Sequence, residues 1–274
     1  MRQRPAEAVS AAAVDTADDS AAVWLNAHPG GVAENLALDE AILEEAHEGL
    51  WTGTTVRTWM AESPVVVLGS SSRVDEEVDR GACESLGVRI VRRPSGGATV
   101  VLGPGCLMWS VVEAHPGGAP PVERIHANML EPLRGALTAA MQPAASVERR
   151  GSSDLVLLKR GPGDGPGADD AALKVSGNAL RVRRHGVLYH GTLLDDFDLD
   201  LVSRVLRHPP REPEYRGRRS HRDFLANLGL GRASLEQLVR RAFRATAIRN
   251  EWPRDRVDRL VRERYGAADW TDRL

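Results

Sequence analysis

Apolar side chains recur along this chain at two spacings, and each spacing predicts a kind of element. Residues 35–50 carry apolar side chains every three or four positions, with acidic residues mostly between them, which predicts an amphipathic helix. The runs 54–60 and 64–69 are short and rich in β-branched residues, which predicts two strands joined by a polar turn. The first predicted elements are therefore one long helix and a pair of strands.

The same criteria predict further strands and helices along the rest of the chain. The other predicted strands are 88–92, 98–102, 106–113, 153–158, 173–184 and 186–194. The other predicted helices are 76–87, 122–141, 198–207, 220–228, 234–248 and 254–265. Pro132 is expected to kink or divide the helix that contains it. Because short turns connect most strands, we expect an α/β fold of the α+β type, with a central, mostly antiparallel sheet flanked by helices.

Composition narrows the class of protein. A chain of 274 residues suits one large domain or a large domain with a small appendage, and 42% hydrophobic with 27% charged residues is typical of a globular protein. A net charge of −2 argues against nucleic-acid binding over the whole surface. No apolar run approaches the roughly 20 residues that a membrane span needs. Two cysteines cannot form a disulfide framework, so we expect a cytoplasmic protein. The net charge and the short apolar runs predict no nucleic-acid and no membrane partner.

The first polar cluster interrupts apolar strands at Arg92, Arg93, Ser95, Gly96 and Gly97. A glycine pair lets backbone N–H groups approach a ligand, and arginines supply positive charge, so this combination predicts an anion site. The alternative is an exposed turn with two solvated arginines, which would be the better interpretation of a serine and two glycines alone.

The second cluster is Lys174 followed by Ser176, Gly177 and Asn178 inside a predicted strand. Glycine and asparagine are depleted in strands, and a glycine there often marks the close approach of a ligand or another backbone. An edge-strand lysine beside a bulge is an equally good interpretation of this cluster taken alone.

The third cluster, His190, Gly191 and Thr192, lies within another apolar strand. A histidine in a buried strand is usually a core residue with satisfied hydrogen bonds, so His190 alone carries little weight. The glycine-rich run 161–167 lacks a Walker lysine and opens no helix, so it predicts a surface loop and not a phosphate-binding loop.

Taken together and in this order, the clusters resemble the biotin/lipoate A/B protein ligase family, which includes lipoate–protein ligases and octanoyltransferases. The matching segments are NLALDEAIL, VRTWMAESPVVVLG, RRPSGGATVVLGPGCL, SDLVLL with KVSGNALR, and LYHGTLLDDFD. The resemblance covers roughly residues 24–230. It implies a catalytic domain at 23–230. Composition predicts a disordered, alanine-rich leader at 1–22, and the helical pattern after the resemblance ends predicts a helical extension at 231–274.

The resemblance implies a fold like that of class II synthetases and an ATP-dependent lipoate– or octanoate–protein ligase. Such an enzyme converts the acid to acyl-AMP with ATP and Mg²⁺, and then passes the acyl group to a lysine of a carrier. The implied partner is an acidic lipoyl carrier domain of the 2-oxoacid dehydrogenase or glycine cleavage type, with a separate accessory protein as a further possibility.

The family match also implies roles for individual residues. Lys174 would be the catalytic residue, holding acyl and phosphate oxygens as a point charge. Arg92 would contact phosphate, Asp154 would take a ribose hydroxyl or a magnesium-bound phosphate, and Trp59 or Val100 would line an acyl tunnel. The complete set of predicted binding residues is Arg92, Ser95, Gly96, Gly97, Asp154, Ser176, Gly177, Asn178, His190, Gly191 and Thr192. The resemblance predicts no set of protein ligands for the metal.

Departures from the family pattern bear on subfamily. Ala98 replaces the third glycine of the family's serine–glycine loop, Leu102-Gly103 replaces a His-Asp pair, and Gly105-Cys106 replaces a Gly-Asn pair. These changes leave acyl specificity open. The Gly-Arg-Gly-Arg-x-Gly loop of biotin ligases is absent.

The positions of cysteine residues distinguish the family's ligases from its transferases. The family's acyltransferases carry the acyl group on a thiol placed shortly before the Lys-x-Ser-Gly strand or after the His-Gly segment, and this chain has no cysteine in either place. Cys83 and Cys106 are expected to be buried structural thiols. This favours the ATP-dependent ligase. A cysteine-independent octanoyl or lipoyl transferase, or a degenerate protein that only binds acyl groups or a carrier, are the alternatives.

The segment 204–222 carries seven arginines against two glutamates. Complementary charge raises encounter rates, so one interpretation is a docking patch for an acidic carrier domain. The other, equally good, is a solvated surface loop.

Overall fold

A computed structural model describes residues 22–159 and 172–274. Its central sheet has six strands. In spatial order they are β10 (Asn178–Arg183), β11 (Gly186–Leu194), β6 (Cys106–Ala114), β2 (Thr54–Met60), β1 (Val23–Leu25) and β12 (Ala247–Arg249). Strands β10, β11, β6 and β2 are antiparallel to one another along this order, whereas β1 is parallel to both β2 and β12. The predicted α/β fold with a mostly antiparallel sheet is confirmed. The predicted leader, except for Ala22, and the loop 161–167 lie outside the described residues.

Two smaller sheets flank the central one. The first contains β4 (Arg89–Arg92), β3 (Val65–Leu68) and β5 (Val100–Leu102), and the second contains β7 (Ala145–Arg150), β8 (Asp154–Lys159) and β9 (Ala172–Ser176). In the first sheet, β4 precedes the arginine–serine–glycine loop and β5 follows it. The second carries Lys174.

The prediction of one strand over 173–184 was wrong. The chain divides at Gly177, so that β9 belongs to the small sheet with β8 while β10 pairs with β11 in the central sheet. The Gly177 N–H donates to Thr192 Oγ1 (3.2 Å) and its carbonyl accepts from the Thr192 N–H (3.1 Å). This junction brings residues of two sheets to one place.

The helices pack on both sides of the sheets around two apolar cores. They are α1 (Val32–His47), α2 (Val74–Glu77), α3 (Arg80–Ser85), α4 (Val122–Met141), α5 (Leu199–Val205), α6 (His221–Phe224), α7 (Arg232–Ala242), α8 (Arg254–Leu260) and α9 (Ala268–Thr271). A 3-10 turn spans Glu214–Arg216, and a π-helical turn, Val261–Tyr265, continues α8. Helix α1 packs against β6, β11 and α8, and α4 packs against β7 and α7. No helix of the described residues is long and apolar enough to cross a membrane.

Two helix predictions before residue 230 need correction. Helix α4 is not divided at Pro132, which lies on its exposed face, so water reaches the carbonyl that the proline leaves without a donor; a kink at Pro132 stays a prediction. The predicted helix 76–87 is two short helices, because Val78 is extended and bridges to Leu206, and Asp79 then caps α3 by accepting from the Ala82 N–H (2.9 Å).

The extension after residue 230 is not helical throughout. The predicted helix 234–248 is α7 followed by β12, which forms an edge of the central sheet beside β1. Helix α8 packs on α1. The extension thus shares the core of the remaining chain, and a domain boundary at 230 stays a prediction.

Candidate active site

Lys174, in the middle of β9, is held by a carboxylate at the start of β8. Its Nζ lies 2.8 Å from Asp154 Oδ1, and the other Asp154 oxygen accepts from the Tyr215 hydroxyl at 2.8 Å. Burial, followed by the neighbouring Asp154, raises the pKa of Tyr215, so the phenol stays protonated and donates. The Lys174 and Asp154 side chains are 24% and 15% exposed, so a ligand can reach the ammonium group while its position is fixed.

Gly177 makes room for the lysine side chain. A Cβ at this position would lie 3.0 Å from both Cε and Nζ of Lys174. The Gly177 backbone bonds in both directions to Thr192, so the lysine rests on a fixed junction between strands. The sequence predicted the close approach of a ligand or another backbone to this glycine, whereas the structure places the Lys174 side chain there.

Gly191 and Asn178 form the second close approach. They are opposite each other in the β10–β11 pairing, and a Cβ on Gly191 would overlap the Asn178 side-chain amide. The Asn178 Nδ2 donates to the Ser153 carbonyl (2.7 Å), and its Oδ1 accepts from Ser176 Oγ (3.1 Å). Asn178 therefore ties the β8 end of the small sheet to the central sheet.

The loop that follows β4 is shaped by Arg93. This buried guanidinium donates to Ser95 Oγ (3.0 Å) and to the carbonyls of Val67 (3.1 Å), Gly96 (2.6 Å) and Ala98 (2.9 Å). Burial lowers the pKa of Arg93 to about 10, which still leaves it charged at neutral pH. Arg93 thus acts within the loop as its internal scaffold.

Gly97 and Gly69 permit the tight course of this loop. Gly97 has a φ of +88°, a region that favours glycine. Its carbonyl packs on Gly69 so closely that Gly69 has no room for a Cβ. Two glycines are therefore required for the loop to fold back on β3.

A buried polar chain runs beneath the loop. Ser95 Oγ lies 2.6 Å from His190 Nε2, and His190 Nδ1 lies 3.8 Å from Asp39 Oδ2. The other Asp39 oxygen binds Arg57 Nη1 (2.7 Å) and accepts from Ser110 Oγ (2.8 Å). Burial alone would raise the pKa of Asp39, but the Arg57 guanidinium and His190 hold it below its ordinary value.

Sequence reasoning assigned no role to Asp39 and Arg57. Both are almost fully buried, Asp39 in α1 between the buried Leu38 and Ile42, and Arg57 within the buried run of β2. A charged residue within an apolar stripe is the signal that could have found them, because a buried charge requires a partner.

Five of the predicted site residues do not line the cleft at Lys174: Ser95, Gly96, Gly97, Ser176 and Arg92. Arg92 instead bonds within the fold. Its guanidinium is fully buried and donates to the carbonyls of Gly69 (2.8 Å), Ser72 (2.6 Å) and Thr271 (2.7 and 3.0 Å). Arg92 does not line the cleft that Lys174 lines. Its predicted contact with phosphate therefore has no support in this geometry, because the guanidinium is directed at backbone carbonyls.

Two adjoining cavities meet at Lys174. The first, about 430 Å³, has an apolar wall made by Leu36, Val67, Leu102 and Met108, with His190 beside them. The second, about 120 Å³, is lined mainly by apolar and aromatic side chains. They are Val101, Leu194, Phe197, Val202, Leu206, Phe224 and Leu225.

Several residues line both cavities. They are Ala98, Thr99, Val100, Lys174, Gly177, Thr192, Arg211 and Pro213. Of the two side chains named for an acyl tunnel, Val100 lines the cavities, whereas Trp59 is buried in the core. Lys174 and Gly177 thus stand at the junction of a larger and a smaller compartment.

Neither cysteine lines a cavity. Cys83 is buried in α3, and Cys106 is fully buried in β6, where burial raises the pKa of its thiol to about 12. A thiol needs its thiolate form to attack an acyl group, so Cys106 is unsuited to carrying one. Among the described residues, no group of three or more His, Cys, Asp or Glu side chains is placed to hold a metal ion.

The basic segment 204–222 is partly neutralised. Arg216 pairs with Glu212 and Arg222 with Asp200, both at 3.4 Å, while Arg219 donates to backbone carbonyls. Among the described residues, Arg204, Arg207 and Arg211 have no acidic side chain within 4.0 Å. Arg207 and Arg211 line the second cavity, so unpaired positive charge lies at the mouth of the cleft.

Comparison with known proteins identifies the chain as an enzyme of the lipoate/octanoate ligase and transferase family. The family described as lipoyl protein ligase A/B catalytic domain matches residues 32–246, and this chain belongs to it. The predicted resemblance is thereby confirmed.

Similar proteins include both activities of the family. The octanoyltransferase LipM of Carboxydothermus hydrogenoformans is 30% identical over 257 residues, covering 88% of this chain and 95% of that protein. A bipartite lipoate protein ligase from Thermoplasma acidophilum, solved in a study that included its E2 lipoyl domain, superposes with a TM-score of 0.72 at 21% identity, covering 92% of this chain and 96% of that one. A lipoate-protein ligase A bound with ATP gives 0.71 at 22% identity, covering 92% and 98%. At these identities the two structures show the fold alone.

Proposed function

We propose that this protein is an ATP-dependent lipoate– or octanoate–protein ligase, which makes an acyl-AMP and transfers the acyl group to a lysine of a carrier domain. One observation carries the proposal: the Lys174 ammonium stands where two cavities meet, oriented by Asp154 and seated over Gly177. Joining a carboxylate to an α-phosphate brings two anions together, and a fixed cation at the meeting point lowers the barrier.

The choice of lysine at this position supports the same conclusion. Only two of the 36 basic residues in the chain are lysines, Lys159 and Lys174. A lysine ammonium is a compact point charge with three rotatable donors, whereas a guanidinium is a planar fork. A Cβ at position 177 would lie only 3.0 Å from the lysine Nζ, so the space that the glycine leaves fits a compact ammonium group.

The two cavities suit the two substrates. The apolar wall of the first, with Leu36, Leu102 and Met108, fits a medium-length acyl chain whose carboxylate points to Lys174. The second, with Phe197 and Phe224, fits the nucleotide base. A carboxylate oxygen then attacks the α-phosphorus and pyrophosphate leaves. In the second step, the carrier amine attacks the acyl carbon and AMP leaves.

In this proposal the loop at Gly96 and Gly97 offers backbone donors at the edge of the cleft: Ala98 of the same loop lines both cavities, whereas Gly96 and Gly97 line neither. Neither amide has a hydrogen-bond partner among the described residues, and Arg93 holds the neighbouring carbonyls so that the loop keeps its shape. Preorganised N–H groups stabilise charge that develops on phosphate or acyl oxygens. Ser95 supports the loop from below through His190.

Asp154 is better suited to orienting Lys174 than to binding magnesium, since both its oxygens are already paired. Mg²⁺ in nucleotide sites is commonly held by substrate phosphates with one or two carboxylates. In this proposal Mg²⁺ enters with ATP, and the phosphates are its main ligands.

Direct octanoyl transfer is the second candidate, favoured by the similarity to a protein named octanoyltransferase. With both thiols buried away from the cleft, such a transferase would have to pass the acyl group straight from a thioester donor to the carrier lysine. Lys174 would then stabilise the tetrahedral intermediate.

The carrier in this proposal is an acidic lipoyl domain. Arg207 and Arg211 at the cleft mouth, with Arg204 nearby in sequence, supply charge complementary to it. The compartment is the cytoplasm, where the two free thiols stay reduced.

Acyl-AMP formation tests the proposal. The purified protein is incubated with Mg-ATP and lipoate or octanoate, and acyl-AMP is measured by mass spectrometry. Lys174→Ala is expected to lower the rate by about 10² or more, because a fixed charge at the reacting oxygens is lost. Lys159→Ala, at the chain's other lysine, is the matched control and should keep the wild-type rate.

A parallel reaction separates the alternatives. It contains an octanoyl-acyl carrier protein and an apo lipoyl domain, without ATP. Octanoylation there, with no acyl-AMP in the first assay, would replace the ligase by the transferase. Acid binding by calorimetry with no product in either reaction would leave a binding protein.

A further inference from the structure

A short segment beyond the family match contacts the back of the active-site loop. We call residues 264–273 the clasp. The Thr271 carbonyl accepts two hydrogen bonds from Arg92 (2.7 and 3.0 Å), and Trp270 Nε1 donates to the Arg92 carbonyl (2.9 Å). Arg273 donates to the Ser70 carbonyl. The family match ends at residue 246, so these contacts are additions to the matched domain.

The clasp reaches the same loop by a second route through Glu40. This fully buried carboxylate accepts from the Tyr265 hydroxyl (2.6 Å) and binds Arg264 (2.5 Å). Arg181 lies 3.8 Å from Glu40 and donates to the Pro94 carbonyl at 2.7 Å. Both ends of the segment Arg92–Pro94 are therefore connected to the clasp, one directly and one through Arg181.

The buried charge of Arg92 makes the first route sensitive. Burial lowers the pKa of this guanidinium, and its bonded partners are neutral carbonyls, so its desolvation is offset only while all of them are present. Thr271 supplies two of these bonds. Displacement of the clasp would leave buried donors unpaired, and the chain at Arg92 would have to shift.

A shift at Arg92 would be transmitted to the catalytic groups. Arg93 is the next residue, and its side chain fixes Ser95, Gly96 and Ala98. The Ser70 amide also donates to the Ser95 carbonyl (2.8 Å), while the Ser70 carbonyl is held by Arg273. The clasp is thus bonded to the end of β4, from which the loop begins, and to the segment after β3, which is bonded to the loop at Ser95.

We propose that residues 264–273 position the Ser95–Gly97 loop for catalysis, with Arg92 and Trp270 as positioning residues. The expected effect on catalysis rests on the proposed function of the protein, whereas the ordering of the loop by the clasp does not. In this proposal the clasp positions the loop without itself contacting the substrate.

Trp270→Phe tests this with the smallest change. It removes the N–H donor to Arg92 but keeps the ring on which Arg264 and Arg273 stack at 4.6 and 3.9 Å. Trp252→Phe is the matched control, since that ring contacts Arg254 at 4.5 Å in the same extension. Arg92→Lys, which keeps the charge but loses the fork of donors, is the stronger second variant.

Two measurements are made on each variant. Hydrogen exchange of the bonded amides at the loop, those of Ser70, Arg93 and Thr99, is expected to rise about five- to tenfold in Trp270→Phe and more in Arg92→Lys, but not in Trp252→Phe. The kcat of acyl-AMP formation should fall by a similar factor while KM for the acid changes little, because the proposed acyl contacts at Leu36 and Met108 are not among the residues that the clasp bonds.

Unchanged exchange in the loop, or a rise spread evenly over the whole protein, would overturn the proposal. A wild-type protein that makes no acyl-AMP would remove the proposed ligase function. The exchange measurement would still decide whether the clasp orders the loop.

Discussion

Gly191→Ala should damage both stability and the site, because a side chain at this position has nowhere to go. A Cβ would overlap the Asn178 amide, lie 2.7 Å from the Asn178 Cγ and lie 2.9 Å from Trp109 Nε1. Trp109 is fully buried between β2 and β11, so it cannot move aside. The flexible partner is Asn178, which would have to leave the Ser153 carbonyl.

The expected magnitude follows from two costs. Overpacking a buried strand costs about 1–3 kcal/mol, and the loss of one hydrogen bond adds about 1 kcal/mol. For a protein of this size, each kcal/mol corresponds to about 2–4 °C in Tm, so we expect Tm to fall by roughly 5–15 °C. Displacement of Asn178 also loosens the junction that carries Lys174, so acyl-AMP formation should fall more than unfolding alone would explain.

Thermal unfolding followed by circular dichroism measures the first effect, and the acyl-AMP assay at a temperature where the variant is folded measures the second. Gly135→Ala is the control, since this exposed glycine in α4 has no atom within 4 Å of its would-be Cβ. Alanine there should raise stability by about 0.5–1 kcal/mol. A Gly191→Ala protein as stable and active as the wild type would refute the steric reasoning.

Two further predictions concern titratable groups. Alkylation of the folded protein with iodoacetamide, and the substitution Cys106→Ala, should both leave acyl-AMP formation intact, since Cys106 is fully buried with a pKa of about 12; loss of activity on alkylation would restore a thiol mechanism. Burial, and then Arg216, lowers the pKa of His221 to about 4. The unfolded chain therefore binds more protons than the folded one between about pH 4 and 6.5, so stability should fall as pH drops through that window. Urea unfolding at pH 7 and pH 5 measures this fall, and an equally steep fall in His221→Asn would contradict the assignment.

Local pattern was enough to predict many elements of this fold. Strands β2 and β11 and helix α4 occur at the predicted residues, because their periodicity and their flanking turn residues are all nearby in the sequence. The lysine, serine and glycine clusters are unusual inside apolar strands, and this composition predicted a site; their roles there stay a prediction.

Tertiary structure alone decided what those residues contact. The break at Gly177 depends on which sheet each half joins, and both halves have strand-like sequence. The fate of Arg92 depends on a carbonyl 179 residues away, at Thr271, and the pairing of Asp39 with Arg57 crosses from a helix to a strand. Short-range periodicity in the sequence indicates which positions are buried and whether an element is a helix or a strand. Contacts between distant segments produce no such periodic pattern, so only the packing of the folded chain determines those contacts.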